Sequence, residues 1–241
     1  DPEKNAISPG ALNTEFGNRN SLSVAYSAFT PYFHYDSAES AYTGGLFWDG
    51  RAKTLSEQAM NPLLGHSEMN NMDKKTVVDQ VKKSDYKDLF LYVFGSDAFD
   101  DENKAFENIL EAIEEYEETL EISPFTSKFD YYLEGLTSLN ESELRGMKLF
   151  NDTTKGNCAA CHPSTPDKFT GAVLFTDFTY DNLGVPVNPD IIRLNKNYKT
   201  DLGLGEFLND SLENGKFKVP TLRNIAVTDP YFHNGVFKTL E

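Results

Sequence analysis

The stretch GNCAACHPS, residues 156–164, sets two cysteines and a histidine within five positions, and the chain holds no cysteine besides Cys158 and Cys161. In a Cys-x-x-Cys-His run the two thiols can add to the two vinyl groups of one haem, and the adjacent imidazole then reaches the iron as its proximal ligand. A thioredoxin-like dithiol calls for a βαβ pattern around the motif, and none is readable. A zinc shell calls for a second pair of ligands, and no second cysteine pair exists to supply it. The motif therefore reads as a haem c on Cys158 and Cys161 with His162 on the iron. Haem c is assembled outside the bacterial cytoplasm, so a periplasmic or surface location follows from the same reading.

With 241 residues and 39% hydrophobic content, the chain can bury a real core as one large or two small domains. No run approaches the roughly 18 apolar residues of a membrane span. No secretory leader is readable, and the first residue is Asp1 rather than methionine, so the sequence is expected to be trimmed, mature or a fragment. A net charge of −16 argues against nucleic acid and anionic membranes as partners and favours a small basic protein.

The pattern is mostly helix and loop, with little of the strict alternation that marks strands. Asp73 can cap a helix carrying Val77, Val78 and Val81, and Ser84 can cap another rich in Leu89, Phe90 and Phe94. From Asp101 to about Glu121, Phe106, Ile109, Leu110, Ile113, Tyr116 and Leu120 recur at three- and four-residue intervals among glutamates, which predicts an amphipathic helix. Ser123 and Pro124 end it and mark a domain boundary. Asn140 with Glu143 three positions on forms a capping box for a helix through Leu144, Met147 and Phe150, which delivers the chain to the cysteines. The Gly/Pro/Asn/Asp-rich stretch from Pro163 to about Lys218 shows no helical period and is expected to be a long functional loop.

Three further stretches, GLFWDGRAKTLSEQAMNPLLGHSEM (45–69), ILEAIEEYEETL (109–120) and FKVPTLRNIAVTDPYFHNGVFKTLE (217–241), combine with the haem motif into a wider match. In the same order and across nearly the whole chain, they resemble the bacterial dihaem cytochrome c peroxidases and their MauG-like relatives. The resemblance implies an all-α fold of two cytochrome c-like helical domains with long loops. The first, residues 1–123, would be the peroxidatic domain without its Cys-x-x-Cys-His. The second, residues 124–241, would be the electron-transfer domain that keeps it. In the family the segment aligned with DPEKNAISPG directly follows the first haem motif, and the distal ligand of the second haem lies shortly beyond VFKTLE. The expectation is therefore the middle of a longer enzyme with two haems, inactive as a peroxidase by itself.

The resemblance also implies roles for single residues. Trp48 matches the tryptophan between the two haems. Gln58 and Glu68 match the polar pair over the peroxidatic haem, where a carboxylate can take a proton from bound hydrogen peroxide and return it to the departing oxygen. Asn20, with the backbone carbonyls of Thr228 and Pro230, matches the inter-domain calcium site, whose all-oxygen ligands suit a hard cation. His233 matches a histidine near the second haem, as a propionate or neighbouring contact. His66, two residues before Glu68, could reach the same cavity, and His34 carries only a structural reading. Outside the resemblance these residues read as a core tryptophan, surface polar groups, a turn asparagine and a buried histidine.

One departure shifts the position within the family. Reductively activated peroxidases carry a distal histidine on the first haem, and the matching region GALNTEFGN (10–18) has none, which moves the chain toward relatives whose peroxidatic haem is open, MauG-like proteins among them. The stretch FTDFTYDNLGVPVNPD (175–190) points the same way. The leading expectation is a peroxidase that reduces hydrogen peroxide to water with electrons from a small cytochrome c or a copper protein, with a homodimer left open as its assembly. The alternatives are a MauG-like oxidase acting on residues of a partner protein and a plain electron-transfer cytochrome; a distal methionine would favour the peroxidase and a tyrosine the MauG-like enzyme.

Overall fold

The computed structural model describes residues 6–12, 14–168, 170–196 and 198–241. The segments DPEKNAISPG and GALNTEFGN lie partly outside them. Helices dominate, with two small two-stranded sheets beside them.

Four helices form the early part: α1 (Leu55–Leu64), α2 (Lys74–Val81), α3 (Lys87–Phe94) and α4 (Glu102–Glu117). Three start on side-chain caps, with Thr54, Asp73 and Asp101 accepting from the amides of Glu57, Thr76 and Lys104. The predicted Ser84 cap is not used. The Ser84 hydroxyl turns back to the Val81 carbonyl, and α3 starts three residues later at an N-cap, Tyr86, that offers no side-chain bond. Helix α4 packs on α1 and α2 and buries Ala105, Phe106, Ile109 and Leu110 against Val77, Val78, Val81 and Phe90. Phe106 is 1% exposed, and emptying such a site by an alanine substitution costs about 3–5 kcal/mol. The helix stops at Glu117, earlier than the periodicity predicts, because Thr119 turns its amide and hydroxyl onto the Tyr116 carbonyl. Tyr116 and Leu120, counted on the apolar face, are exposed.

The later part carries α5 (Lys128–Leu133), α6 (Glu141–Asn151), α7 (Pro189–Leu194) and α8 (Leu204–Leu208). The capping box of Asn140 and Glu143 is formed at α6, and a second one, Ser127 with Asp130, opens α5. The stretch expected to be loop from Pro163 to Lys218 contains α7 and α8, too short to show a helical period.

Two short ladders, one in the early and one in the late chain, are joined to each other. Strands β1 (His34–Asp36) and β2 (Ala41–Thr43) pair as an antiparallel hairpin, and β3 (Tyr180–Asp181) pairs with β4 (Phe217–Lys218). A bridge between Thr43 and Thr179 joins the two, and the Lys218 amide donates to the Trp48 carbonyl at 2.8 Å.

Two features bear on the site. Among the described residues, both contiguous apolar clusters draw on residues 28–113, whereas α6 has no buried residue and leaves Leu144 and Leu149 40% and 47% exposed. Six aromatic residues, Tyr26, Phe47, Phe125, Phe175, Phe178 and Phe232, hold φ between 44° and 66°, a left-handed conformation that side chains of this size rarely adopt.

Candidate functional site

The end of α6 feeds the chain through a tight turn into the cysteine motif. Asn157 takes a left-handed conformation, its amide returns to the Asp152 carbonyl, and Cys158–Ala160 form one 3₁₀ turn. The amides of Cys161 and His162 both donate to the Cys158 carbonyl, so both thiols and the imidazole leave a single turn of backbone. The thiols are free, Cys158 exposed and Cys161 partly so. Cys161 donates to Asp181 at 3.4 Å, and burial together with that carboxylate pushes the thiol up to about 11.

His162 Nδ1 lies 2.8 Å from the Phe175 carbonyl. A carbonyl oxygen only accepts, so Nδ1 carries the hydrogen and Nε2 presents its lone pair, the arrangement of a metal-bound imidazole oriented by a backbone acceptor. Free paired thiols, this tautomer and the uncovered apolar side of α6 together fit a covalently held haem. A cavity of about 340 Å³ lies between Phe175, Tyr26, Leu222 and Arg223.

Around Trp48 the two parts of the chain meet. The indole is buried, its Nε1–H donates to the Asn20 carbonyl at 2.8 Å, and its ring stands edge-on to His233 with centroids 6.5 Å apart. His233 is buried and stacked on Phe217 at 3.6 Å, and burial depresses its imidazole to about 4, with Asp201 opposing and Arg19 adding to the shift. The Asn20 amide donates to the His233 carbonyl at 2.7 Å, so Asn20 holds the tryptophan and the histidine at once. Its side-chain Nδ2 meets the Pro230 carbonyl at 2.6 Å. Two of the three groups assigned to calcium are thus adjacent, while Thr228 sits on an exposed turn with its amide returned to Ile225.

Gln58 is half-buried in the middle of α1, and Glu68 lies in the turn after that helix. Gln58 and Gly65 are seven residues apart, two turns on one side of the helix axis and roughly 10 Å along it. At Gly65 the Glu68 Oε2 stands 2.7 Å from where a Cβ would be, so only glycine leaves room for this carboxylate. Glu68 remains exposed overall, yet crowding around its carboxyl raises its pKa, against the pull of Arg51. His66 is exposed and bonded to Asn70 at 2.9 Å, and His34 is exposed beside the Tyr32 carbonyl.

Several residues at this junction carry no sequence signal. Arg19 joins Asp49 to Asp201, 182 positions away, and Arg51 completes the pair at Asp49. Lys218 is buried with its ammonium on the Gly45 carbonyl at 2.6 Å, and burial lowers it to about 8. Asp49, Arg51 and Lys218 lie inside the quoted stretches, yet none of them carries a role there.

The sequence model of the di-haem cytochrome c peroxidase family matches residues 2–138. The chain belongs to this family. It is 38% identical over 241 residues to the methylamine utilization protein MauG of Paracoccus denitrificans, covering 98% of the chain and 61% of that relative. To the cytochrome c551 peroxidase of Nitrosomonas europaea it is 36% identical over 199 residues, 81% of the chain and 52% of the relative. The crystal structure of the diheme peroxidase BthA from Burkholderia thailandensis superposes with a TM-score of 0.84 at 31% identity, over 99% of the chain and 59% of that structure. The chain thus spans little more than half the length of these family members. Among the described residues no helix is long and apolar enough to cross a membrane.

Proposed function

We propose that this chain is part of a dihaem cytochrome c peroxidase that reduces hydrogen peroxide to water, taking two electrons and two protons per turnover from a small cytochrome c or copper protein and from solvent. The observation that carries the reading is Glu68, whose carboxyl packs against Gly65 and is raised in pKa by burial against the pull of Arg51. Cys158 and Cys161 would hold one haem c with His162 toward its iron, and the group would supply redox-active iron. Glu68 accepts a proton from hydrogen peroxide and returns it to the departing oxygen, Gln58 orients the peroxide by its amide, and Trp48 lies on the electron path between the two redox centres.

This reading divides the chain at 123/124 into a peroxidatic and an electron-transfer domain. It includes calcium held by Asn20 Oδ1 and the Thr228 and Pro230 carbonyls after the Asn20 amide turns over, a periplasmic location, and homodimerisation. A second reading, oxidation of residues in a partner protein, draws on the 38% identity to MauG and on the lack of histidine in residues 10–18.

The test is Glu68→Gln in the haem-loaded full-length parent protein, which keeps size and hydrogen bonding but removes the proton acceptor. Peroxide-dependent oxidation of a reduced small cytochrome should fall at least about tenfold at constant haem content. An unchanged rate takes Glu68 out of the chemistry and the reading with it.

A further inference from the structure

We infer that Asp49 is a positioning residue for Trp48: its buried carboxylate gathers the cations at the junction of early and late chain and so fixes the indole against His233. The inference rests on the peroxidase reading for its purpose, and on geometry for its existence.

Asp49 follows Trp48 directly and is 6% exposed. Its Oδ2 accepts from Arg19 Nη1 at 2.6 Å, and both its oxygens accept from Arg51 Nη1 at 2.9 Å. Arg19 turns its other edge to Asp201, with Nε and Nη2 at 2.6 and 2.7 Å from the two carboxylate oxygens. Arg51 lies over the Phe47 ring at 3.7 Å, which pins the residue on the other side of Trp48. Lys218 feels the same carboxylate, and its backbone amide donates to the Trp48 carbonyl. Asp49 therefore bonds both Arg19 and Arg51 directly beside the tryptophan, and the buried Lys218, its ammonium on the Gly45 carbonyl, senses the same charge from farther off.

A buried charge is tolerated only when paired, and stripping one partner leaves the other to seek water. Without the Asp49 charge, Arg19 keeps only Asp201, and Lys218 loses the carboxylate that offsets its burial. Displacement reaches the indole by two routes. One is the backbone of Trp48 itself, clasped by Lys218. The other runs through Arg19 to the adjoining Asn20, whose carbonyl takes the indole N–H and whose amide holds the His233 carbonyl. A residue that served stability alone would not act on both the ring and its neighbour.

Trp48 is the only tryptophan in the chain, so its fluorescence reports this one place. Emission maximum, lifetime and acrylamide quenching should be measured on wild type, Asp49→Asn, Asp49→Glu, Arg19→Lys and Asp201→Asn, in the haem-free and the haem-loaded chain. Asp49→Asn should shift the emission to the red and raise the quenching constant by about twofold or more as the buried indole gains water. Asp201→Asn should change in the same direction, and Arg19→Lys and Asp49→Glu should fall between. Val78→Ala, a core change far from the junction, should lower the melting temperature and leave Trp48 emission alone. Emission and quenching unchanged in folded Asp49→Asn overturn the inference, as does an equal change in Val78→Ala. Should Asp49→Asn not fold, Asp201→Asn decides by the same readings. Trp48→Phe separates the two layers: if it keeps full peroxide turnover, the electron path through Trp48 fails, while the fluorescence result still decides what Asp49 does.

Discussion

Arg223 closes a two-pronged ion pair on Asp130 from 93 positions away, with Nη1 3.0 Å from Oδ2 and Nη2 2.7 Å from Oδ1. Both side chains are almost fully buried, and the rings of Tyr26 and Phe125 flank the guanidinium at 4.9 and 4.4 Å. The pair ties α5 to the late loop that also lines the cavity between Tyr26, Phe175 and Leu222. Asp130 is at once the N3 residue of the α5 capping box, so one carboxylate serves a helix start and a long-range lock.

Arg223→Met should therefore cost about 3–5 kcal/mol in denaturant unfolding, because it strands a buried carboxylate. Burial alone would raise Asp130, but the bonds from Arg223 and Ser127 outweigh it and hold the carboxyl at about 2. Its folded pKa lies below its unfolded one, so the stability it contributes is complete above about pH 4 and is lost as pH falls toward 2. Asp130→Asn should flatten that part of the acid-unfolding curve; an unaltered curve would show the pair to be inert.

His233 gives a second window with the charge reversed. Its folded pKa, about 4, lies below the usual value of about 6.5, so unfolded chains take up protons that the folded chain refuses. Stability from this group is full above about pH 6.5 and is lost on acidification from there to 4. His233→Phe, which can keep the stack on Phe217, should remove that slope in melting temperatures taken from pH 7 to 4.

Gly65→Ala tests the seat of Glu68. A Cβ there would stand 2.7 Å from Glu68 Oε2 and 2.8 Å from the Asn61 carbonyl, and the flexible carboxylate gives way before the backbone does. The Asn61 carbonyl is backbone and must shift as well, so fold stability should fall by about 1–3 kcal/mol. Peroxide turnover should drop toward that of Glu68→Gln. Normal turnover in Gly65→Ala would separate Glu68 from its seat.

The open side of α6 calls for a fourth measurement, hydrogen exchange with and without haem. Attachment to Cys158 and Cys161 should raise protection along Glu141–Asn151 by an order of magnitude or more, since a group bound only by the folded state adds directly to local stability. Helix α4, with its own dry core, should change little. Equal protection of α6 in both forms would mean that its apolar side faces something else.

Much of this architecture was legible before any coordinate. The caps at Asp73 and Asn140 and the stripe through Phe106, Ile109 and Leu110 are local signals, written within one or two turns of chain, and each appears as read. The haem motif is equally local, and the structure gives its five residues two free thiols and an imidazole held by the Phe175 carbonyl. Ser84 failed because its hydroxyl had a nearer acceptor at Val81, and the α4 stripe overran because Tyr116 and Leu120 match the period without meeting a partner. The resemblance named Trp48, Gln58 and Glu68. It could not name Arg19, Asp201, Lys218 or the pair of Arg223 and Asp130, since partners 93 and 182 positions apart leave no mark on a single sequence.

Five of the six aromatics described in left-handed backbone fall where the chain needs something held. Phe47 precedes Trp48, Phe232 precedes His233, Phe175 offers its carbonyl to His162, and Tyr26 and Phe125 enclose Arg223. Each such conformation costs on the order of 1 kcal/mol or more that glycine would not incur. An engineer seeking a hardier variant would mark these positions first for glycine, and would remove with every ring a wall of the site. Relief of backbone strain and loss of activity are therefore expected to travel together in this fold, and safe gains in robustness lie elsewhere, on the outer faces of α2 and α4.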